Sequence, residues 1–156
     1  MTHDAGLHVH DTPSLDRLAV RATVHCLTGC AIGEVLGLVI ATQLGWHDLP
    51  SIALAVVLAF VFGYGLTVRS VLGSGIAIRD ALRIAFAADT ISIIVMEIVD
   101  NAFVLAIPGA MSAGLTDLLF WASLGASLVI AGLVAFPVNR WLIARGRGHA
   151  VVHDVH

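Results

Sequence analysis

Residues 84–107 read IAFAADTISIIVMEIVDNAFVLAI. The stretch exceeds the ~20 residues that a helix needs to cross ~30 Å of hydrocarbon, and its bulk is Ile, Val, Ala, Phe and Leu. It also holds Asp89, Glu97 and Asp100, with no lysine or arginine to neutralise them. A charge at mid-bilayer costs about 2.5–3.5 kcal/mol on insertion scales, so such residues face a bundle interior and point to a function. Whether this stretch spans decides between a chain that crosses a membrane an even or an odd number of times.

Three further apolar runs flank it. Leu18 to Trp46 is interrupted by His25 and Glu34, Leu49 to Val68 has only the Tyr64 hydroxyl as an ionisable group, and Leu118 to Val138 is uncharged. The breaks between runs carry helix-end residues: His47-Asp48-Leu49-Pro50, with Asp48 placed to cap the second run, then Gly73-Ser74-Gly75, Pro108-Gly109 and Thr116-Asp117. The arginines sort into three places. Arg17 and Arg21 precede the first run, Arg69, Arg79 and Arg83 lie between the second and third, and Arg140, Arg145 and Arg147 follow the fourth. The positive-inside rule then predicts four transmembrane helices with both termini and the middle loop in the cytoplasm. Trp46, Trp121 and Trp141 sit near span ends, where indoles favour the interface.

The composition agrees. The chain is 58% hydrophobic and 12% charged over 156 residues, against about 25% charged in soluble domains, and its mean hydropathy is +0.95. An all-α polytopic membrane protein is expected: a polar His-containing tail over 1–17, a bundle over 18–143 and a second His-containing tail over 144–156. Met1 to Pro13 lack the basic start and cleavage site of a signal peptide, so the first run is expected to remain in the protein. A net charge of −3 offers no basic field for nucleic acid. The expected surroundings are lipid.

Within the first run, Cys26, Cys30 and Glu34 recur every four residues, so they share one helix face. Gly29, Gly33 and Gly37 follow beside them, a small-residue groove that lets another helix approach. The cysteines, at i and i+4, have Cβ atoms about 6 Å apart; a disulfide wants about 3.8 Å. A metal bridges that gap better, and two thiols with His25 make a soft site that favours copper or zinc. The alternative is that the cysteines are small apolar filler.

In the third run, Asp89, Met96 and Asp100 fall within about 20° of one line, with Glu97 and Asn101 on the adjoining stripe. Counting depth from the cytoplasmic side places Asp89 level with Cys26, and Met96 and Glu97 level with Glu34. The metal-ligating candidates are therefore His25, Cys26, Cys30, Glu34, Asp89 and Met96. Glu97, Asp100 and Asn101 would continue as a cation or proton relay. The alternative is a hydrogen-bonded network of protonated acids that only holds helices together.

His3, His8, His10, His149, His153 and His156 could collect a borderline metal in the tails. Asn139 and Arg140 are expected to contact headgroups or cap the fourth helix. Enzymatic catalysis is not expected: no nucleophile–base pair or nucleotide loop is present, and one in-span histidine cannot supply two haem ligands.

The run His-Cys-x-x-Gly-Cys-x-x-Gly-Glu (His25 to Glu34), with Pro-Val-Asn-Arg-Trp-Leu-Ile (Pro137 to Ile143) and Gly-His-Ala (Gly148 to Ala150), resembles a family of bacterial inner-membrane proteins catalogued as a domain of unknown function. The resemblance spans about residues 20–150. It implies a four-helix membrane bundle, marks His25, Cys26, Cys30 and Glu34 as signature positions and carries no activity with it.

From the residues themselves, the leading expectation is a transporter or membrane chaperone for copper or zinc, working as a homo-oligomer with glycine faces or polar seams packed together. A proton-coupled exporter of organic cations acting through Glu34 is the second. A non-transporting assembly or sensor subunit is the third.

Overall fold

The computed structural model describes residues 14–73 and 75–145. The tail histidines His3, His8, His10, His149, His153 and His156 lie outside these residues. The described residues form four helices: α1 (Leu15–Gln43), α2 (Asp48–Leu72), α3 (Ile78–Ala106) and α4 (Leu118–Ala144). No strand occurs among them. Three helices, α1, α2 and α4, are long and apolar enough to cross a membrane. At 29 residues α3 matches α1 in length; its ionisable side chains set it apart.

Every helix outruns its apolar core in at least one direction. Thus α1 starts at Leu15, where the Ser14 hydroxyl accepts from the Arg17 amide at 3.4 Å. The third helix takes in Asp80 and Arg83 before the apolar run begins, and α4 continues through Arg140. Backbone hydrogen bonding does not stop at the first charge, because arginines at helix ends extend their stems along apolar surface and keep their heads in water. The expected Asp48 cap is corrected: His47 occupies the cap position without a side-chain bond, and Asp48 lies in the first turn of α2. A carboxylate there still favours the helix through the macrodipole.

The helices pack as a ring. Each lies against its neighbours in sequence, α4 closes back on α1, and α1 also touches α3 across the bundle. The closest approach is between α1 and α2. A Cβ placed on Gly33 would stand 2.2 Å from the Ala59 nitrogen; one on Gly37 would stand 2.5 Å, and one on Gly29 2.7 Å, from the Cα atoms of Ala55 and Gly63. The glycine groove is therefore filled by α2 of the same chain. The groove of Gly29, Gly33 and Gly37 is thus covered within the chain and is not the surface that would join two copies.

Burial runs opposite to that of a soluble bundle. Val57, Val61, Phe86, Ile98, Val129 and Leu133 are exposed, whereas Glu34, Asp89, Glu97, Asp100 and Asn139 are buried. A belt of large apolar side chains around a polar interior suits a hydrocarbon surround. Asn139 is buried and its Nδ2 donates to Thr23 Oγ1 at 2.9 Å, which ties α4 to α1. Arg140 pairs with Asp16 at 2.5 Å, an exposed bridge of small worth. The three tryptophans are about half exposed near helix ends, as expected. The end bearing Trp46 and Trp121 is called here the Trp46 end, and the opposite one the arginine end.

Candidate functional site

The polar seam forms where α1 faces α3 across the bundle. Three levels follow one another from the arginine end. Cys26 stands beside Asp89 and Ser92, Cys30 beside Glu97, and Glu34 beside Asp100, with Ser127 of α4 next to Asp100. The four-residue step of α1 and the seven- and eleven-residue offsets of α3 bring them into line. The expected level of Asp89 with Cys26 holds. Glu34 reaches both Glu97 and Asp100, one turn apart, and Asp100 is the stronger partner. Asp100 is thus not beyond the cluster, as depth counting had it, but inside it. Straight parallel helices were assumed in that count, and a shift of three residues is only about 4.5 Å.

The electrostatics are one-sided. Glu34, Glu97 and Asp100 are all nearly buried, with Glu34 at 4% exposure. Among the described residues, neither Glu34 carboxyl oxygen has a hydrogen-bond partner, nor has Glu97 Oε1, Asp100 Oδ1 or Ser92 Oγ. Glu34 and Asp100 face each other closely enough to share a hydrogen bond once one of them carries a proton. Buried polar atoms are nearly always satisfied, and a shared proton satisfies this pair.

A cavity of about 70 Å³ leads to it. Its lining runs from Glu34, Asp100 and Asn101 past Leu38, Ile52 and Val104 to Met111 and Ala113 of the connection between α3 and α4. A second cavity of about 90 Å³ shares Leu38, Met111, Ala113 and Phe120 and reaches Thr42, Trp46, Asp48 and Ser51. The acids thus communicate with the Trp46 end through two adjoining spaces. Trp121 Nε1 donates to Leu115 O at 2.9 Å and the Gly114 amide to Asp117 Oδ2 at 2.7 Å, fixing the connection beside them.

Toward the arginine end the seam closes. Cys26, Cys30 and Met96 belong to an apolar cluster with Ile93, Ala59, Ala131 and Ala135. Both thiols are free and buried. Beyond them Thr67 of α2 donates to Asp89 Oδ2, and His25 Nε2 lies 2.9 Å from Thr67 Oγ1. His25 is therefore joined to Asp89 through a hydroxyl and is not gathered with the cysteines. On the lipid side of the same helices Tyr64 and Thr90 are hydrogen-bonded at 2.9 Å. Asn101 Nδ2 donates to Glu97 O at 2.8 Å and contacts Glu97 Oε2 at 3.4 Å.

Among the described residues, no three His, Cys, Asp or Glu side chains converge so as to hold a metal ion. Of the six residues read as metal ligands, Cys26 and Asp89 face each other, Cys30 and Glu34 face Glu97 and Asp100, Met96 packs in the apolar cluster, and His25 lies against Thr67. Sequence reasoning missed Thr67 and Ser127. The signal for Thr67 was present: Ser51, Ala55, Ala59, Gly63, Thr67 and Val71 are buried at every fourth position of α2, a stripe of small residues with a hydroxyl toward each end.

The family described as "Domain of unknown function (DUF4396)" matches residues 17–148. The chain belongs to this family. The match takes in α2, α3, α4, all but the first two residues of α1 and every residue of the seam. No curated protein and no solved structure matches the chain. The seam's geometry is therefore what speaks for its chemistry. Paired acids enclosed by apolar walls cannot all keep their charge unless a cation or protons accompany them, and Glu34 and Asp100 are among the residues lining a cavity toward one end.

Proposed function

We propose that this protein is a four-span carrier of the bacterial inner membrane, with both termini in the cytoplasm, that exchanges protons for a small inorganic cation at Glu34 and Asp100. The observation that carries this reading is Glu34: 4% exposed, set against a second buried acid, Asp100, and among the residues lining a cavity toward one end of the bundle.

The spread of ligands along the seam favours passage over storage. Conduction needs sites that bind well enough to admit an ion and weakly enough to release it. Two ligands per level meet that need better than a closed cage. Size argues against an organic cation, since a cavity of about 70 Å³ admits several waters at about 10–15 Å³ each but no bulky amine. The seam is enclosed by one chain, so a homo-oligomer is not required to seal it.

A second reading, passage of copper or zinc, draws on Cys26 and Cys30 standing opposite Asp89 and Glu97 in that seam. Thiols select soft and borderline ions.

The test is flux into proteoliposomes that enclose a pH-sensitive dye, driven in turn by gradients of Mg²⁺, Mn²⁺, Zn²⁺, Cu⁺ and tetraphenylphosphonium. Proton movement coupled to a metal gradient, abolished by Glu34→Gln and by Asp100→Asn, is expected. Retained flux in both variants overturns the carrier. Coupling lost in Cys26→Ser/Cys30→Ser selects the copper or zinc reading, and coupling to the organic cation alone selects the exporter.

A further inference from the structure

Thr67 stands between two ionisable groups. Its hydroxyl lies 2.9 Å from His25 Nε2 of α1 and is hydrogen-bonded to Asp89 Oδ2 of α3. Thr67 itself belongs to α2, so three helices meet in one chain of side-chain atoms. Thr67 and Asp89 are buried, at 0% and 1% exposure, whereas His25 is half-buried. His25 follows Arg21 by one turn of α1, at the arginine end, and Arg21 is exposed. The chain of atoms therefore begins at a partly accessible ring and ends at an enclosed carboxyl. None of the three residues lines the two cavities that lead to the Trp46 end.

We propose that His25, Thr67 and Asp89 form a proton relay that loads the seam from the arginine end. The inference deepens the carrier reading by naming the residues that pass protons on the side opposite the cavities, and it rests on that reading.

A hydroxyl has one hydrogen and two lone pairs, so the two bonds of Thr67 are linked. While Asp89 is a carboxylate, Thr67 donates to it, and Thr67 Oγ1 accepts from His25 Nε2–H. With His25 doubly protonated, one transfer runs the length of the chain. The Nε2 proton passes to Thr67 Oγ1 as the hydrogen already there passes to Asp89 Oδ2. The products are a neutral imidazole protonated at Nδ1 and a carboxylic acid. No charge is left on Thr67, and both hydrogen bonds survive with donor and acceptor exchanged. Imidazole suits the outer station because its two nitrogens take up and release protons on different sides of the ring. Reloading takes a turn of the half-buried ring that brings the vacated Nε2 to water. On the inner side Asp89 stands beside Cys26 and Ser92, where the seam begins. The ionisable neighbours of the relay are Cys26 and, within a turn along α1 and α2, Arg21, Tyr64 and Arg69. Tyr64 is bonded to Thr90, and α4 carries no ionisable side chain from Leu118 to Asn139. Among the described residues no three ligands converge on a metal, and His25 Nε2 is committed to the hydroxyl.

The experiment follows Asp89 itself, in the full chain in detergent micelles. The infrared C=O stretch of its protonated side chain, identified by its loss in Asp89→Asn, is recorded after rapid pH steps down and up. A relay speeds proton exchange in both directions, whereas a merely structural link between helices shifts only the equilibrium. Thr67→Val and His25→Gln are expected to slow the rise and decay of the band about tenfold or more. Thr67→Ser, which keeps the hydroxyl, should restore both rates. Should Thr67→Val fail to fold, His25→Gln carries the test. Exchange as fast in the folded variants as in the parent chain, no rescue by Thr67→Ser, or an Asp89 band that ignores pH overturns the relay. Proteoliposome flux under Mn²⁺ and Zn²⁺ gradients separates the two ideas. Coupled flux that stops in Glu34→Gln but runs unchanged in Thr67→Val and His25→Gln removes the relay as the proton route and leaves the carrier. Relay-dependent exchange at Asp89 without coupled flux upholds the relay and removes the carrier.

Discussion

The two halves of the seam begin from similar residues and end in different states. At the Trp46 end, Glu34 meets Asp100 and the space toward solvent is left partly empty between Leu38, Val104, Met111 and Phe120. At the arginine end, Cys26 meets Asp89 and the space is packed with Ile93, Met96, Ala131 and Ala135. An acid on α3 facing α1 is common to both. What separates them is the filling, and with it the access of water. A carboxylate in the open half can exchange its partner with solvent. One in the packed half depends on fixed neighbours such as the Thr67 hydroxyl.

The strongest way to break this contrast is to separate α1 from α2, since both halves rest on that contact. Gly33→Leu would drive a side chain into the Ala59 backbone, where even a Cβ stands at 2.2 Å. Overpacking costs about 1–3 kcal/mol where neighbours can yield, and backbone cannot, so loss of monodisperse protein on size-exclusion chromatography is expected. A folded Gly33→Leu of normal thermal stability would refute the tight α1–α2 interface.

Access can be read directly. In a Cys26→Ser/Cys30→Ser background, Leu38→Cys should react with a small water-soluble thiol reagent, and Ile93→Cys should not. Equal rates at the two positions would erase the distinction between open and packed halves. Packing gives a thermodynamic version of the same comparison. Ile93→Ala, at a fully buried site, should cost about 2–5 kcal/mol, and Leu38→Ala beside existing space distinctly less, both measured by denaturant unfolding in micelles. The smallest effect is expected at Thr67→Val, which removes one interhelical link to Asp89. Such links in membrane proteins are worth about 0.6 kcal/mol on average and about 1.7 at most, a small downward shift in melting temperature. A loss several times larger would mean that Thr67 organises the packed half.

Helical period made much of this legible in advance. The four-residue step of Cys26, Cys30 and Glu34, the glycines beside them and the acid seam of α3 all follow from 3.6 residues per turn, and each was found buried as expected. The period says which side chains share a face but not what lies opposite. Hence the glycines read as a possible contact between copies, when Ala55, Ala59 and Gly63 of the same chain fill them. Hence also Cys26, Cys30 and Met96 read as rungs of a ladder of ligands, although they pack with Ile93, Ala59, Ala131 and Ala135 in an apolar cluster. Thr67 stayed hidden because a hydroxyl in an apolar run carries no charge to explain. The tertiary partner decided each of these.

The contact at Gly33 also limits how the bundle can move. With backbone against backbone along three successive turns, α1 and α2 have no slack to slide and must travel as one body. Exposing Glu34 to the opposite side of a bilayer would therefore fall to α3 and α4, rocking as a second body across the pair.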